Sequence, residues 1–289
     1  MDSSPPLEAG ATPLAVGALS RWHVSRLPRR TLATSLAAVA GALPVLGFSG
    51  LATYLTLLAL TALIAVAIAP RTDGTEVRRL SVVSMLPAGI VVAIFLATAV
   101  SIATTAIGIE WSRWYAMLLY FLLIALPWAV SWKRAGEVHV WRGDGIAAIL
   151  GVTVSFLAYV WTLLKPMYLV AATVGGGGTD FNRHVVLMKL IASEGGLDYL
   201  ARDYPRGSHS LVAIVWTAAG DTSYVDAWLA VESFLWLVVV LILLALIVSA
   251  VRILRVLGAS HIAVGWGAAF ISAFIASGAL MPLASRSSP

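Results

Sequence analysis

Residues 31–69 read TLATSLAAVAGALPVLGFSGLATYLTLLALTALIAVAIA, a run of 39 residues without a charged side chain. A helix needs about 20 apolar residues to cross the roughly 30 Å hydrocarbon core of a bilayer, so this run is too long for one crossing. It divides naturally at Gly47–Gly50, where the sequence GFSG favours a tight turn. The run therefore predicts two membrane-spanning helices joined as a hairpin.

The composition of the whole chain is also that of a membrane protein. Of its 289 residues, 60% are apolar and 11% are charged, whereas soluble domains carry about 25% charged residues. Cysteine is absent, which excludes disulfides and thiolate metal sites. The net charge of +5 does not indicate nucleic-acid binding, because the Lys and Arg residues lie between the apolar runs, where they indicate membrane topology.

Further apolar runs predict five more spans, about seven in all, in an all-α polytopic transmembrane bundle. These five are expected at about 80–109, 114–132, 145–164 (or to 170), 225–251 and 261–283. Residues 1–30 lack a signal-peptide pattern and are predicted to form a disordered basic cytoplasmic tail. Four N-terminal transmembrane helices then occupy 31–144. The remaining part, 145–289, contains one long polar loop at 171–224.

Basic residues alternate with the apolar runs and set the expected orientation. They form four clusters, before the first span and after the second, fourth and sixth: Arg21, Arg26, Arg29, Arg30, Arg71, Arg78, Arg79, Lys133, Arg134, Arg142, Arg252 and Arg255. All four clusters fall on one side of the alternating spans, and the positive-inside rule assigns that side to the cytoplasm. We therefore expect the amino terminus inside, the carboxyl terminus outside, and the polar loop on the outer face of the plasma membrane.

Ser208–Ala219, SHSLVAIVWTAA, is apolar but too short for an ordinary crossing. A full crossing here would also move Arg252 and Arg255 to the outer side. We therefore expect a short helix that dips into the outer leaflet or packs against the bundle. The alternative is that it joins Asp221–Trp236 in one longer, broken span.

The first part of the polar loop predicts an amphipathic helix over 180–193, suited to the membrane surface and ended by the Gly-Gly pair that follows. Asp180 and His184 are four residues apart and share a face, with Arg183 beside them. Asp180 has an ordinary interpretation, since an acid in the first turn offsets the helix dipole. It has a chemical one too, because a carboxylate there can accept a proton from a hydroxyl or hold a divalent cation. His184 is either a solvated surface residue or the partner of that acid.

The second part, DYPRGSH, spans Asp203 to His209. Proline pushes Tyr204 into an extended conformation, and Gly207 permits a sharp turn into the following helix. The ordinary interpretation is a turn that starts a helix, with Ser208 as its cap. The other is a phosphate site, because Arg206 lies beside the exposed backbone amides of a helix start.

The order of the segments TDFNRH, EGG and YPRGSH resembles the first outer loop of GT-C type polytopic membrane glycosyltransferases, which use polyprenyl-phosphate sugars in cell-envelope assembly. The resemblance is carried by residues 179–209 and the spans around them. It implies that Asp180 acts as the base or binds a divalent cation such as Mg²⁺ or Mn²⁺, with His184 as its catalytic companion. The residues implied to bind the donor phosphate or the acceptor are Arg183, Asp203, Tyr204, Arg206 and His209.

Members of that family usually continue with further spans beyond the point that corresponds to Pro289. The resemblance therefore implies the N-terminal portion of such an enzyme, a truncated product, or half of a split system with a partner membrane subunit. Two other functions stay open. One is a transporter or flippase subunit, for which Glu232 is the acid well inside a predicted span. The other is a non-catalytic membrane scaffold that binds a partner through its loop.

Overall fold

A computed structural model of the chain describes residues 26–46, 50–70, 81–109, 111–140, 180–194, 207–220 and 223–258. Within these ranges it is mostly helical, as predicted, with one small two-stranded sheet in addition. The elements are β1 (Arg26–Pro28), α1 (Arg29–Leu46), α2 (Gly50–Ile68), α3 (Val82–Ala106), α4 (Arg113–Lys133), β2 (Glu137–His139), α5 (Asp180–Glu194), α6 (Gly207–Ala219) and α7 (Tyr224–Val256).

Among the described residues, three helices are long and apolar enough to cross a membrane, and they correspond to predicted spans. They are Val82–Thr104, Arg113–Lys133 and Val225–Leu254, and a shorter apolar helix covers Ala52–Ile68. Large apolar side chains on the outer faces of α3 and α4, such as Phe95 and Leu118, are more than half exposed. Surfaces of this kind suit lipid better than water. The predicted spans at 145–170 and 261–283 lie outside the described residues.

Helix α2 lies at the centre of the described bundle and packs against α1, α3, α4 and α7. Its side chains are buried on almost every face, among them Leu57, Leu60 and Ile64. A helix that is apolar all round belongs in such a position. Helices α1 and α2 occupy the two helical segments predicted for residues 31–69 and pack against each other, but neither is one of the three helices long and apolar enough to cross a membrane. The turn residues 47–49 are outside the described part.

Small residues bring α2 and α3 close together. A Cβ atom added to Gly89 would lie 2.5 Å from the carbonyl oxygen of Thr61. Ala93 and Ala97 follow on the same face of α3 at intervals of four, and both are fully buried. Helices in membranes commonly associate through such stripes of small residues, because the backbones can then approach closely.

The structure differs from the predicted tail over 1–30 at the last five residues of that segment. Strand β1 pairs antiparallel with β2, with Arg26 opposite His139 and Pro28 opposite Glu137. The Arg29 backbone N–H then donates to the Gly136 carbonyl at 2.9 Å. These residues are ordered because β2, which follows α4 in the chain, supplies hydrogen-bond partners that the local sequence does not contain. Residues 1–25 are outside the described part.

The Arg29 side chain, which is fully buried, closes the end of α2. Its guanidinium donates to the carbonyls of Val66 at 3.0 Å and Ala69 at 2.8 Å. Arg134 donates to the neighbouring carbonyl of Ala67 at 3.1 Å. The last carbonyls of a helix have no intrahelical donor and carry partial negative charge, so two arginines satisfy them well.

Candidate functional site

Helix α6 is inserted into the bundle. It packs against α3, α4, α5 and α7, and every side chain from Leu211 to Trp216 is buried. The expectation that Ser208–Ala219 forms a short helix packed against the bundle is therefore confirmed. Gly220, with a φ of 79°, follows its last turn, and α7 begins as a separate helix at Tyr224.

The amino-terminal end of α6 lies inside the bundle. A Cβ atom on Gly207 would come within 2.7 Å of Thr98 Oγ1 and 2.9 Å of Ile94 Cγ2, both on α3. Thr98 precedes the end of α3 at Ala106 by two helical turns, which is about 12 Å at 1.5 Å per residue. The first turn of α6 is thus well below the end of the bundle.

The other end of α6 lies where α4 begins. The guanidinium of Arg113, the first residue of α4, lies against the Cα of Gly220, where any side chain would collide with it. A cation at the end of a helix is favourable, because the last carbonyls carry partial negative charge. Helix α6 therefore rises from the interior of the bundle to the end where α3 stops and α4 starts.

Helix α5 forms the outer wall of the site. The predicted amphipathic helix over 180–193 is present as Asp180–Glu194. Its apolar face, formed by Val185, Met188 and Ile191, is fully buried and packs against α6 and α7. The expected docking on the membrane surface is thus replaced, for this face, by docking on protein. The reason is that α6 and α7 offer an apolar surface that the loop sequence alone does not show.

His184 of α5 and His209 of α6 meet at the junction of these two helices. His184 Nδ1 and His209 Nε2 are 2.8 Å apart, and the ring planes differ by 8°. The ring centroids are 5.0 Å apart, the separation expected when the two rings lie edge to edge in one plane. This is an in-plane hydrogen bond, in which one ring nitrogen donates and the other accepts.

The pair continues into a third group. The Ser208 hydroxyl lies 3.4 Å from the other ring nitrogen of His209, Nδ1. His209 is 5% exposed, whereas His184 is half-buried. The chain Ser208–His209–His184 can hold its protons in either of two directions, because each imidazole exchanges donor and acceptor roles between its nitrogens. It therefore joins the buried start of α6 to a more accessible histidine.

Of the other predicted site residues, two lie in α5 and three lie elsewhere. Asp180 begins α5, one turn before His184, and helical spacing puts it on the same face as His184. Arg183 is in the same helix, and neither of these two side chains is among those described. The remaining three, Asp203, Tyr204 and Arg206, lie outside the described residues. In the described ranges no three His, Asp or Glu side chains are arranged to hold a metal ion.

Glu232 is a buried acid on α7. It is 7% exposed, Trp236 hydrogen-bonds its carboxyl group, and its Oε2 atom has no partner among the described residues. Helix α7 begins shortly after Gly220, at the same end of the bundle, and Glu232 lies about 12 Å along it. That distance brings it to a depth similar to that of Thr98 and the start of α6.

Sequence reasoning treated Ser208 only as a helix cap and missed its place beside His209. The available signal was the sequence SHS directly before an apolar helix too short to span, since polar residues at the start of an inserted helix need buried partners. Comparisons with protein-family models, curated proteins and solved structures found no match to this chain, so its function has to be inferred from the site itself.

Proposed function

We propose that the chain is a membrane glycosyltransferase of GT-C type, or a portion of one, that transfers a sugar from a polyprenyl-phosphate donor to an envelope acceptor on the outer face of the plasma membrane. The observation that supports this most directly is the 2.8 Å contact between His184 and His209. It joins TDFNRH and YPRGSH, the two segments that the resemblance assigns to one substrate site. A loop whose two ends bond to each other inside a helical bundle can enclose a substrate between them.

The proposed reaction is a direct displacement at the anomeric carbon. The acceptor hydroxyl attacks this carbon and gives its proton to Asp180, while the bond between the anomeric carbon and the phosphate oxygen breaks. The polyprenyl phosphate leaves as an anion, stabilised by Arg206 and by the backbone N–H groups at the start of α6. His184, one turn from Asp180, takes up this proton and passes it through His209 to the leaving phosphate at the start of α6, which departs as the protonated monoanion. Arg183, Asp203 and Tyr204 orient the two substrates.

Asp180→Asn tests this assignment, and Asp226→Asn is its matched control. Both acids lie in the first turn of a helix, α5 and α7 respectively. Transfer of radiolabelled sugar from polyprenyl phosphate should be abolished by the first substitution and retained by the second. If Asp180 only offsets the helix dipole, both variants will lose about 0.3–1 kcal/mol of stability and keep normal turnover. Normal turnover of Asp180→Asn would make the assignment wrong.

His209→Gln separates a proton-carrying role from a structural one. A glutamine amide can still donate to or accept from His184, so α6 should stay in place, but an amide does not pass protons. We expect unchanged stability and a lower transfer rate, with His184→Ala adding little to the loss in the double variant because the two residues act as a unit. Equal losses of stability and activity would indicate a structural pair.

A transporter or flippase subunit is the second candidate, and Glu232 is the observation that favours it. A buried carboxylate with one oxygen lacking a described partner is costly inside a bundle, and such residues commonly mark ion or substrate pathways. Transport into proteoliposomes that is lost in Glu232→Gln but kept in Asp180→Asn would reverse the order of the two candidates.

A further inference from the structure

A cluster of cations surrounds the end of the bundle at which α1 begins and α2 and α4 end. Its exposed members, which we call the basic rim, are Arg26, Arg30, Lys133 and Arg134. Within residues 26–30 and 131–140 the carboxylate-bearing residue is Glu137, so positive charge is in excess here. An excess of this kind attracts anions, most strongly where the surrounding medium is apolar.

The Arg30 guanidinium is held in a fixed position. It lies over the ring of Trp132, 5.0 Å from the centroid, and its Nε donates to the Trp132 carbonyl at 3.1 Å. No contact within the described ranges engages its two terminal nitrogens, which can donate to an anion. A guanidinium fixed in this way suits the oxygens of a phosphate, because less side-chain freedom is lost when the anion binds.

The aromatic residues beside the rim indicate the depth at which it lies. Trp128 and Trp132 pack together with their centroids 5.4 Å apart, and Trp132 is 44% exposed. Both belong to the last two turns of α4, one of the helices long enough to span a bilayer. Tryptophans at the end of a spanning helix mark the level of the lipid headgroups. At that level the anions available to Arg30 are the phosphates of lipid headgroups.

Buried Arg29 lies behind the basic rim and shares a carbonyl partner with Arg134 of the rim. The guanidinium groups of Arg29 and Arg134 both approach the carbonyl oxygen of Ala67, at 3.4 and 3.1 Å. The end of a helix offers roughly half an elementary charge, less than two guanidinium groups carry. The guanidinium groups of Arg29 and Arg134, and not the helix end, therefore add to the positive potential around Arg30 and Lys133.

We propose that the basic rim binds the headgroup of an anionic phospholipid, with Arg30 and Lys133 as the outward donors. The proposal is independent of the proposed glycosyl transfer. It differs from a general attraction between cations and a membrane because Arg30 is positioned in advance by Trp132. Phosphatidylglycerol is the natural probe, since its headgroup carries the phosphate charge without a compensating amine.

The test uses the full chain in a neutral detergent, titrated with dansyl-labelled phosphatidylglycerol or phosphatidylcholine and followed by energy transfer from tryptophan. We expect saturable binding of phosphatidylglycerol only. Each cation near the surface contributes enough to change affinity roughly fivefold. Lys133→Gln should therefore weaken binding about fivefold, and the double variant with Arg30→Gln about 25-fold. Lys189→Gln, a matched loss of one cation from α5, should leave binding unchanged.

Arg30→Lys keeps the charge but loses the planar fork that Trp132 orients. It should weaken binding severalfold, whereas a purely diffuse attraction would be unaffected by this exchange. The proposal is overturned if the double variant binds phosphatidylglycerol as tightly as the natural chain, or if phosphatidylcholine binds equally well. Thermal unfolding without lipid checks that the variants fold. If the Arg30 variants do not fold, Lys133→Gln alone tests the proposal, because the Lys133 side chain is exposed.

Discussion

The Tyr120 hydroxyl replaces a backbone hydrogen-bond donor that helix α1 lacks. The carbonyl of Ala40 would normally accept the backbone N–H of the residue four positions later, but that residue is Pro44, which has none. The Tyr120 hydroxyl, on α4, donates to this carbonyl at 2.7 Å. Both residues are almost fully buried, so water cannot serve as the donor instead.

Tyr120→Phe removes this hydroxyl and leaves the ring in place. The Ala40 carbonyl then lies buried without a donor, which costs about 1–3 kcal/mol. In a Pro44→Ala background the backbone N–H is restored, and the same substitution should cost only about 0.5–1.5 kcal/mol, the value of an ordinary hydrogen bond. The two substitutions should therefore be coupled by roughly 1 kcal/mol, within the usual range for residues that share a hydrogen-bond partner.

The assay is the free energy of unfolding of the four proteins of this cycle, measured in detergent micelles by denaturant titration with circular dichroism. Tyr115→Phe is the control, because this tyrosine is also on α4 and its hydroxyl has no hydrogen-bond partner within the described ranges. It should cost less than about 0.5 kcal/mol. If Tyr120→Phe lowers the free energy of unfolding by the same amount in the natural chain and in the Pro44→Ala background, the hydroxyl does not compensate for the proline.

Three further predictions follow from close contacts. Gly207→Ala should cost about 1–3 kcal/mol and slow transfer, because its Cβ would meet the Thr98 hydroxyl; Thr98→Ala should restore part of both, and no rescue would contradict the contact. Gly89→Ala should lower the free energy of unfolding, whereas Gly41→Ala, whose added Cβ atom would have nothing within 4 Å, should stabilise α1 by up to about 1 kcal/mol. Equal shifts in unfolding free energy for the two variants would refute the close packing of α2 and α3. Arg29→Met should cost about 3 kcal/mol or more, since it removes charged donors from buried carbonyls; an unchanged unfolding midpoint would show that these bonds add no stability.

The helices that are long and apolar enough to cross a membrane were the most predictable part of the fold. Apolar runs fixed α3 and α4 to within a few residues at each end, because length and composition decide whether a segment can cross a bilayer. The helix from Asp180 was predictable for a local reason as well, since its start and its stop are both encoded within a few residues. What these elements share is that their signals are short-range in sequence.

The depth of α6 could not be predicted, because it depends on residues far away in the chain. An apolar helix of this length has the same composition whether it lies in the outer leaflet or inside the protein. Its position is decided by Gly207 against α3 and Gly220 against Arg113, and nothing in the segment itself shows these contacts. The β1–β2 ladder escaped prediction for a similar reason: three-residue strands carry no detectable alternation, and the arginines around β1 looked like a solvated tail.

Part of the site could be predicted from local sequence, and part depends on contacts between segments far apart in the chain. Helical spacing was enough to predict that Asp180 and His184 share a face, but the pairing of His184 with His209 requires α5 and α6 to cross at one particular place. A buried imidazole and a half-buried one would be costly there as isolated groups, and the hydrogen bond between them offsets that cost. An asparagine or glutamine pair could also form a hydrogen bond between the two helices. The use of two histidines, linked to a serine at the buried start of α6, therefore favours a site that moves protons over one that only holds two helices together.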